Sequence, residues 1–115
     1  MMMKKIAAVI PIKNLHFAKS RLSNILTPQQ RKSLVLYLLN ITIKTLKESQ
    51  FISEIIIVSS DRAIQRFCVK NNLRFIRDSD NGVNNAVRLA DRYCIDNDID
   101  ANIIIPQDLP LLSVN

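Results

Sequence analysis

Three cations crowd one stretch of this chain, Lys13, Lys19 and Arg21, in the run Lys13-Asn-Leu-His-Phe-Ala-Lys-Ser-Arg21. Lysine offers a mobile point charge to phosphate, and arginine a planar fork that can hold two oxygens. Ser20 adds a hydroxyl between two of them. Much further on, Asp108 follows three isoleucines in Ile103-Ile-Ile-Pro-Gln-Asp108. A lone carboxylate after such a run suits Mg²⁺, which takes one or two carboxylates together with substrate phosphates. Cations in one loop and a candidate metal-binding carboxylate in another describe a site for a phosphorylated ligand. The competing reading is a basic surface loop and a turn aspartate before Pro110.

Other candidates are weaker. His16 is the sole histidine, and no carboxylate stands near it in sequence to orient it as a base. Gly82-Val-Asn84-Asn85 opens a helical pattern, where an asparagine can read a base edge or cap the helix. Asp96, Asp98 and Asp100 resemble the start of a calcium loop but lack its glycine and closing glutamate, so a solvated turn is expected.

The elements that would position these residues follow from apolar patterning. Ile6–Ile12 is a short apolar run, expected as a buried strand with Pro11 near its end. Thr27-Pro-Gln-Gln30 is a helix start: Thr27 as N-cap, Pro28 at the first helical position and Gln30 closing a capping box. That helix should run to about Glu48. Its stretch from Leu34 to Ile43 is apolar on most sides, implying burial against the sheet and against another layer or subunit. Glu54–Ser59 reads as a parallel core strand, with Ser60 available to cap the next helix, whose face is Ile64, Phe67, Cys68 and Asn71. Leu73–Arg77 alternates, as a strand nearer an edge does. After the turn cluster Asp78–Gly82 comes a helix stripe of Val83, Ala86, Val87, Ala90 and Cys94, and then a fourth strand at Ala101–Ile105.

The order β-α-β-α-β-α-β implies an α/β fold, a parallel sheet flanked by helices on both faces. Such sheets bind ligands at the carboxyl ends of their strands, near a switch in strand order. That rule selects residues 13–21, 59–61 and 106–110.

Composition narrows the classes. The chain has 115 residues, 48% hydrophobic and 23% charged, within the range of one globular domain. With one glycine, neither a Walker A loop nor a dinucleotide fingerprint can be present. With two cysteines and one histidine, a four-ligand Cys/His zinc site within the chain is excluded. Residues 1–47 carry nine Lys/Arg and no acid, whereas residues 48–115 carry seven Lys/Arg against ten acids, a split of +9 and −3. The basic half suits an anionic partner. A nucleic-acid module is disfavoured, because aromatics are 5% and no basic-aromatic interleaving supplies stacking platforms. The apolar run at 6–12 has no cleavage site after it, and 34–43 is too short to span a bilayer, so a cytoplasmic protein with no membrane partner is expected. Cys68 and Cys94 fall on apolar helix stripes and are expected as buried thiols.

Val9-Ile-Pro-Ile-Lys13, Ala18-Lys-Ser-Arg-Leu22 and Leu26-Thr-Pro28 together resemble the opening of the 2-phospholactate guanylyltransferases. Ile57-Val-Ser-Ser-Asp61, Gly82-Val-Asn-Asn-Ala86 and Pro106-Gln-Asp-Leu-Pro-Leu-Leu112 resemble later segments of that family, in order. The Asp-Leu-Pro-Leu segment alone is shared with wider nucleotidyltransferases, such as the molybdenum-cofactor guanylyltransferases. The resemblance implies a Rossmann-like nucleotidyltransferase fold. It implies transfer of GMP from GTP to 2-phospho-L-lactate, or to phosphoenolpyruvate, with release of pyrophosphate in coenzyme F420 biosynthesis. It implies Lys19, Arg21 and Asp108 as catalytic residues, Lys13, Ser20, Ser60 and Asn84 as nucleotide-binding residues, and Mg²⁺ on Asp108. The family's Thr-Gly-Thr-Asn and Phe-Gly-x-x-Ser segments, and the Asp-x-Asp pair that lies beyond its Asp-Leu-Pro loop, do not occur, so residues 1–115 are expected to form a single partial domain, the GTP-binding portion, with the carboxy-terminal part missing. A nucleotide-binding but inactive fragment, or a molybdenum-cofactor-type guanylyltransferase, is the alternative. The oily helix at 34–43 suggests a homodimer.

Overall fold

The computed structural model describes residues 4–12, 25–78 and 83–105, without the side chains of Val83 and Asn84. Four strands and three helices alternate: β1 (Ile6–Ile12), α1 (Pro28–Lys47), β2 (Glu54–Ser59), α2 (Arg62–Lys70), β3 (Arg74–Arg77), α3 (Val83–Asp96) and β4 (Ala101–Ile104). The strands form one sheet in the order β3-β2-β1-β4, and every pairing is parallel.

β1 and β2 lie centrally and are sealed on both faces, which is why their sequences are nearly unbroken β-branched and small apolar residues. Ala7, Val9, Ile56 and Val58 face α3, where Ala86, Ala90 and Cys94 let that helix approach closely. Ile10, Ile12, Ile55 and Ile57 face the other side, beneath Val35, Leu39 and Ile43 of α1 and Ile64 and Cys68 of α2. Pro11 comes after the last β1–β4 pair, Val9↔Ile104, at the end of that ladder. β3 sits at an edge, as expected, but its exposure does not alternate: Arg74 and Arg77 are exposed at its ends, while Phe75 and Ile76 are half-buried against opposite cores. Both cysteines are free and buried, one on each face of the sheet.

The start of α1 follows its sequence signal. Thr27 Oγ1 accepts from the Gln30 amide at 3.1 Å, and Gln30 Oε1 accepts from the Thr27 amide at 2.8 Å. Lys44 and Lys47 in its last turn complement the helix dipole. The helix is less enclosed than its composition suggests. Only Val35, Leu39 and Ile43 are buried, while Tyr37 and Ile41 remain 63% and 46% exposed.

The cap of α2 differs from expectation. Asp61, not Ser60, is the N-cap: its Oδ1 accepts from the amides of Ala63 at 2.7 Å and Ile64 at 3.3 Å. An ionised carboxylate is the stronger acceptor for these two amides. Of the three exposed aspartates expected in a solvated turn, Asp96 ends α3, Asp98 lies in the turn after it, and Asp100 also has a structural task. Its Oδ2 accepts from the Lys5 amide at 2.7 Å, joining the entrances of β1 and β4.

At the amino-terminal rim, Tyr93 donates to Glu54 Oε1 at 2.8 Å, and the Arg74 guanidinium lies 5.5 Å from the Tyr93 ring centroid. These contacts tie α3 to β2 and β3. Burial, and then the hydrogen bond to Glu54, raise the Tyr93 pKa above its ordinary value.

Candidate nucleotide site

The strand order locates the site. β2 and β3 extend the sheet from one side of β1, and β4 from the other, so the order reverses between β1 and β4. Ligands of open α/β sheets bind outside the carboxyl ends of the strands at such a reversal. β1 and β4 are parallel neighbours, in register from Ile6↔Ala101 to Val9↔Ile104, and the Ile105 amide adds one more bond, 2.8 Å to the Val9 carbonyl. The chain therefore leaves β1 after Ile12, and β4 after Ile104, from the same rim of the sheet.

Of the sequence-derived site residues, Lys13, His16, Lys19, Ser20, Arg21 and Asp108 lie outside the described residues. Ser60 and Asn84 are placed. Ser60 follows β2 at the carboxyl rim, and the backbone of Asn84 lies in the first turn of α3.

Around them the described rim is polar and tightly bonded. Ser59 is fully buried, and its Oγ accepts from the Asp61 amide at 3.2 Å, which closes the corner into α2. Arg77, ending β3, donates from Nη1 to the Ser60 carbonyl at 3.3 Å and from Nη2 to Gln65 Oε1 at 2.7 Å. Asp78 continues the ladder by donating its amide to the Ser59 carbonyl at 3.0 Å. Its carboxylate accepts from Asn85 Nδ2 at 2.7 Å. Asp61 and Asp78 are 8% and 9% exposed, so both depend on hydrogen bonds rather than bulk water. Sequence reasoning treated Asp78 as part of a turn and did not pair it with Asn85; a Asp–Asn spacing of seven across a turn cluster was the only signal.

Among the described residues, no group of three or more His, Cys, Asp and Glu side chains could hold a metal ion. A cleft among Leu46, Ile52, Asn72 and Leu73 lies at the amino-terminal ends of β2 and β3, the rim opposite this site. Among the described residues no helix is long and apolar enough to cross a membrane.

The alternation of strands and helices and the reversal of strand order define an open, parallel α/β fold. The fold aligns with a crystal structure assigned as a nucleotide-diphospho-sugar transferase of Desulfovibrio desulfuricans, at a TM-score of 0.72 and 13% identity. The alignment covers 94% of this chain and 49% of that one, and at this identity the likeness is one of fold.

The chain belongs to the family described as "Guanylyl transferase CofC like", which it matches over residues 6–115. It is 36% identical to a 2-phospho-L-lactate guanylyltransferase of Methanocaldococcus jannaschii, over 94% of this chain and 46% of that protein. It is 31% identical to a 2-phospho-L-lactate guanylyltransferase of Methanobrevibacter smithii, over 96% and 48%. It is 29% identical to a phosphoenolpyruvate guanylyltransferase of Sphaerobacter thermophilus, over 94% and 52%. The chain thus spans about half the length of the curated relatives it matches.

Proposed function

We propose that this chain carries the GTP-binding portion of a guanylyltransferase. The enzyme moves GMP from GTP to 2-phospho-L-lactate or phosphoenolpyruvate and releases pyrophosphate, in coenzyme F420 biosynthesis. The observation that carries this reading is the adjacency of β1 and β4 at the reversal of strand order. It lets the segment bearing Lys13, Lys19, Ser20 and Arg21 and the segment bearing Asp108 start from one rim. The relatives' names support the two acceptors.

In the proposed reaction a phosphate oxygen of the acceptor attacks the α-phosphorus of GTP. The bond from that phosphorus to the bridging oxygen breaks, and its electron pair leaves with pyrophosphate. The acceptor phosphate is already an anion at neutral pH, so no strong general base is needed, and His16 has no required part. Catalysis then consists of positioning and charge neutralisation. Lys13, Lys19 and Arg21 hold the triphosphate and the departing pyrophosphate, with Ser20, Ser60 and Asn84 completing the nucleotide contacts. Asp108 is a hard oxygen donor of the type Mg²⁺ selects, and Mg²⁺ held there would neutralise phosphate charge.

The test is calorimetric titration of GTP with Mg²⁺, run beside a pyrophosphate-release assay with each acceptor. Binding of GTP, and release that depends on an acceptor, is the expected result. Binding without release under any acceptor assigns this chain a binding role alone. Absence of GTP binding overturns the reading.

A further inference from the structure

One hydrogen bond at the rim joins the end of β3 to the start of α3. Asp78 is fixed from below, because its amide continues the β2–β3 ladder through the carbonyl of fully buried Ser59. Its carboxylate then accepts from Asn85 Nδ2 at 2.7 Å, and Asn85 is the third residue of α3. The first turn of α3 contains no acidic residue of its own. Asp78, the residue after β3, supplies that turn with a hydrogen-bond acceptor. The bond ties that first turn to the end of the β2–β3 ladder, and Asn84 shares the turn.

We propose that Asp78 and Asn85 are a positioning pair for nucleotide binding: the Asp78 carboxylate, acting through Asn85, holds the first turn of α3 in the register that nucleotide affinity requires. The proposal rests on the guanylyltransferase reading. Neither residue needs to touch the nucleotide.

The two side chains are nearly isosteric but differ in donor capacity, and that makes the pair testable by exchange. Asp78→Asn keeps an acceptor for Asn85 and is expected to bind GTP within about twofold of the unaltered chain. Asn85→Asp sets two carboxylates against each other at hydrogen-bond distance and is expected to weaken GTP binding about fivefold or more, the size of one lost polar contact. Adding Asp78→Asn to Asn85→Asp restores a donor facing an acceptor, with direction reversed, and is expected to recover most of that loss. Titration of GTP with Mg²⁺ into the 115-residue chain and its variants reads these affinities, with a thermal melt on each. Unchanged affinity in Asn85→Asp overturns the proposal, as does a double variant that melts like the unaltered chain yet binds as weakly as Asn85→Asp. If Asn85→Asp does not fold, Asn85→Ala replaces it, and normal affinity there has the same meaning. An unaltered chain that binds no GTP overturns the proposed function itself, and a binding chain indifferent to these substitutions overturns only the pairing.

Discussion

Lys19 and Asp108 carry the strongest expectations at the scale of single residues, because charge at a transferring phosphoryl group is worth most where water is excluded. In a guanylyltransferase that contains these segments, Lys19→Ala or Asp108→Asn should lower kcat/KM by about a hundredfold or more, while acceptor KM changes little. Steady-state pyrophosphate release reads both, and wild-type rates in the two variants would refute the assigned roles. Cys68 carries a different expectation. Burial raises its thiol from 9.0 to about 11. A proton held more tightly in the folded state means that the unfolded chain ionises first as pH rises. The stabilisation is complete below pH 9, and it is lost progressively as pH climbs from 9 to about 11. Burial also raises Cys94, in the same direction. Denaturant midpoints should therefore hold steady from pH 7 to 8.5 and fall above 9, and native Cys68 should resist alkylating reagents until the chain unfolds. Rapid alkylation of Cys68 at pH 8 with the fold intact would contradict the burial argument.

The elements were legible in the sequence wherever local chemistry and burial agree. β1 and β2 lack the alternation of a half-exposed strand because they are sealed on both faces, and their position at the centre of the sheet was readable from that alone. Thr27, Pro28 and Gln30 announced the start of α1 because a capping box is complete within four residues. The start of α2 was misplaced by one residue, since Ser60 and Asp61 are both competent caps and tertiary contacts choose between them. The Asp61 amide reaches Ser59 Oγ, and Arg77 takes the Ser60 carbonyl, which turns the corner so that Asp61 faces the open amides. The Asp78–Asn85 bond was illegible for a related reason: it exists only once β3 is paired with β2 and α3 has crossed the sheet. The two caps should differ in worth. Thr27→Ala should cost about 1 kcal/mol at an exposed helix start. Asp61→Ala leaves two amides without their acceptor at a buried corner and should cost about 2 kcal/mol. Urea denaturation at pH 7 compares them directly, and an equal or reversed order would show that the Ser59–Asp61 corner adds nothing.

The molecule as a whole is asymmetric in how it guards its sheet. At one edge β3 presents Arg74 and Arg77, and exposed charges on an edge strand discourage further pairing. At the other, β4 reads Ala-Asn-Ile-Ile with no charge, and among the described residues no strand pairs with its outer side. Ile103 is 48% exposed there. Tyr37 and Ile41 form a second exposed apolar area, one turn apart on α1. Unpaired backbone groups beside an uncharged apolar surface are a template for association, whereas apolar side chains on a helix offer area without directional bonds. Self-association of this chain should therefore proceed through β4 first. Sedimentation velocity over a concentration series should show growth of larger species, and Ile103→Lys should suppress it with little change in melting temperature. Tyr37→Lys with Ile41→Lys should suppress it less. If the α1 double variant abolishes association and Ile103→Lys leaves it intact, contact runs through the helix face and the open edge is guarded by residues outside those described.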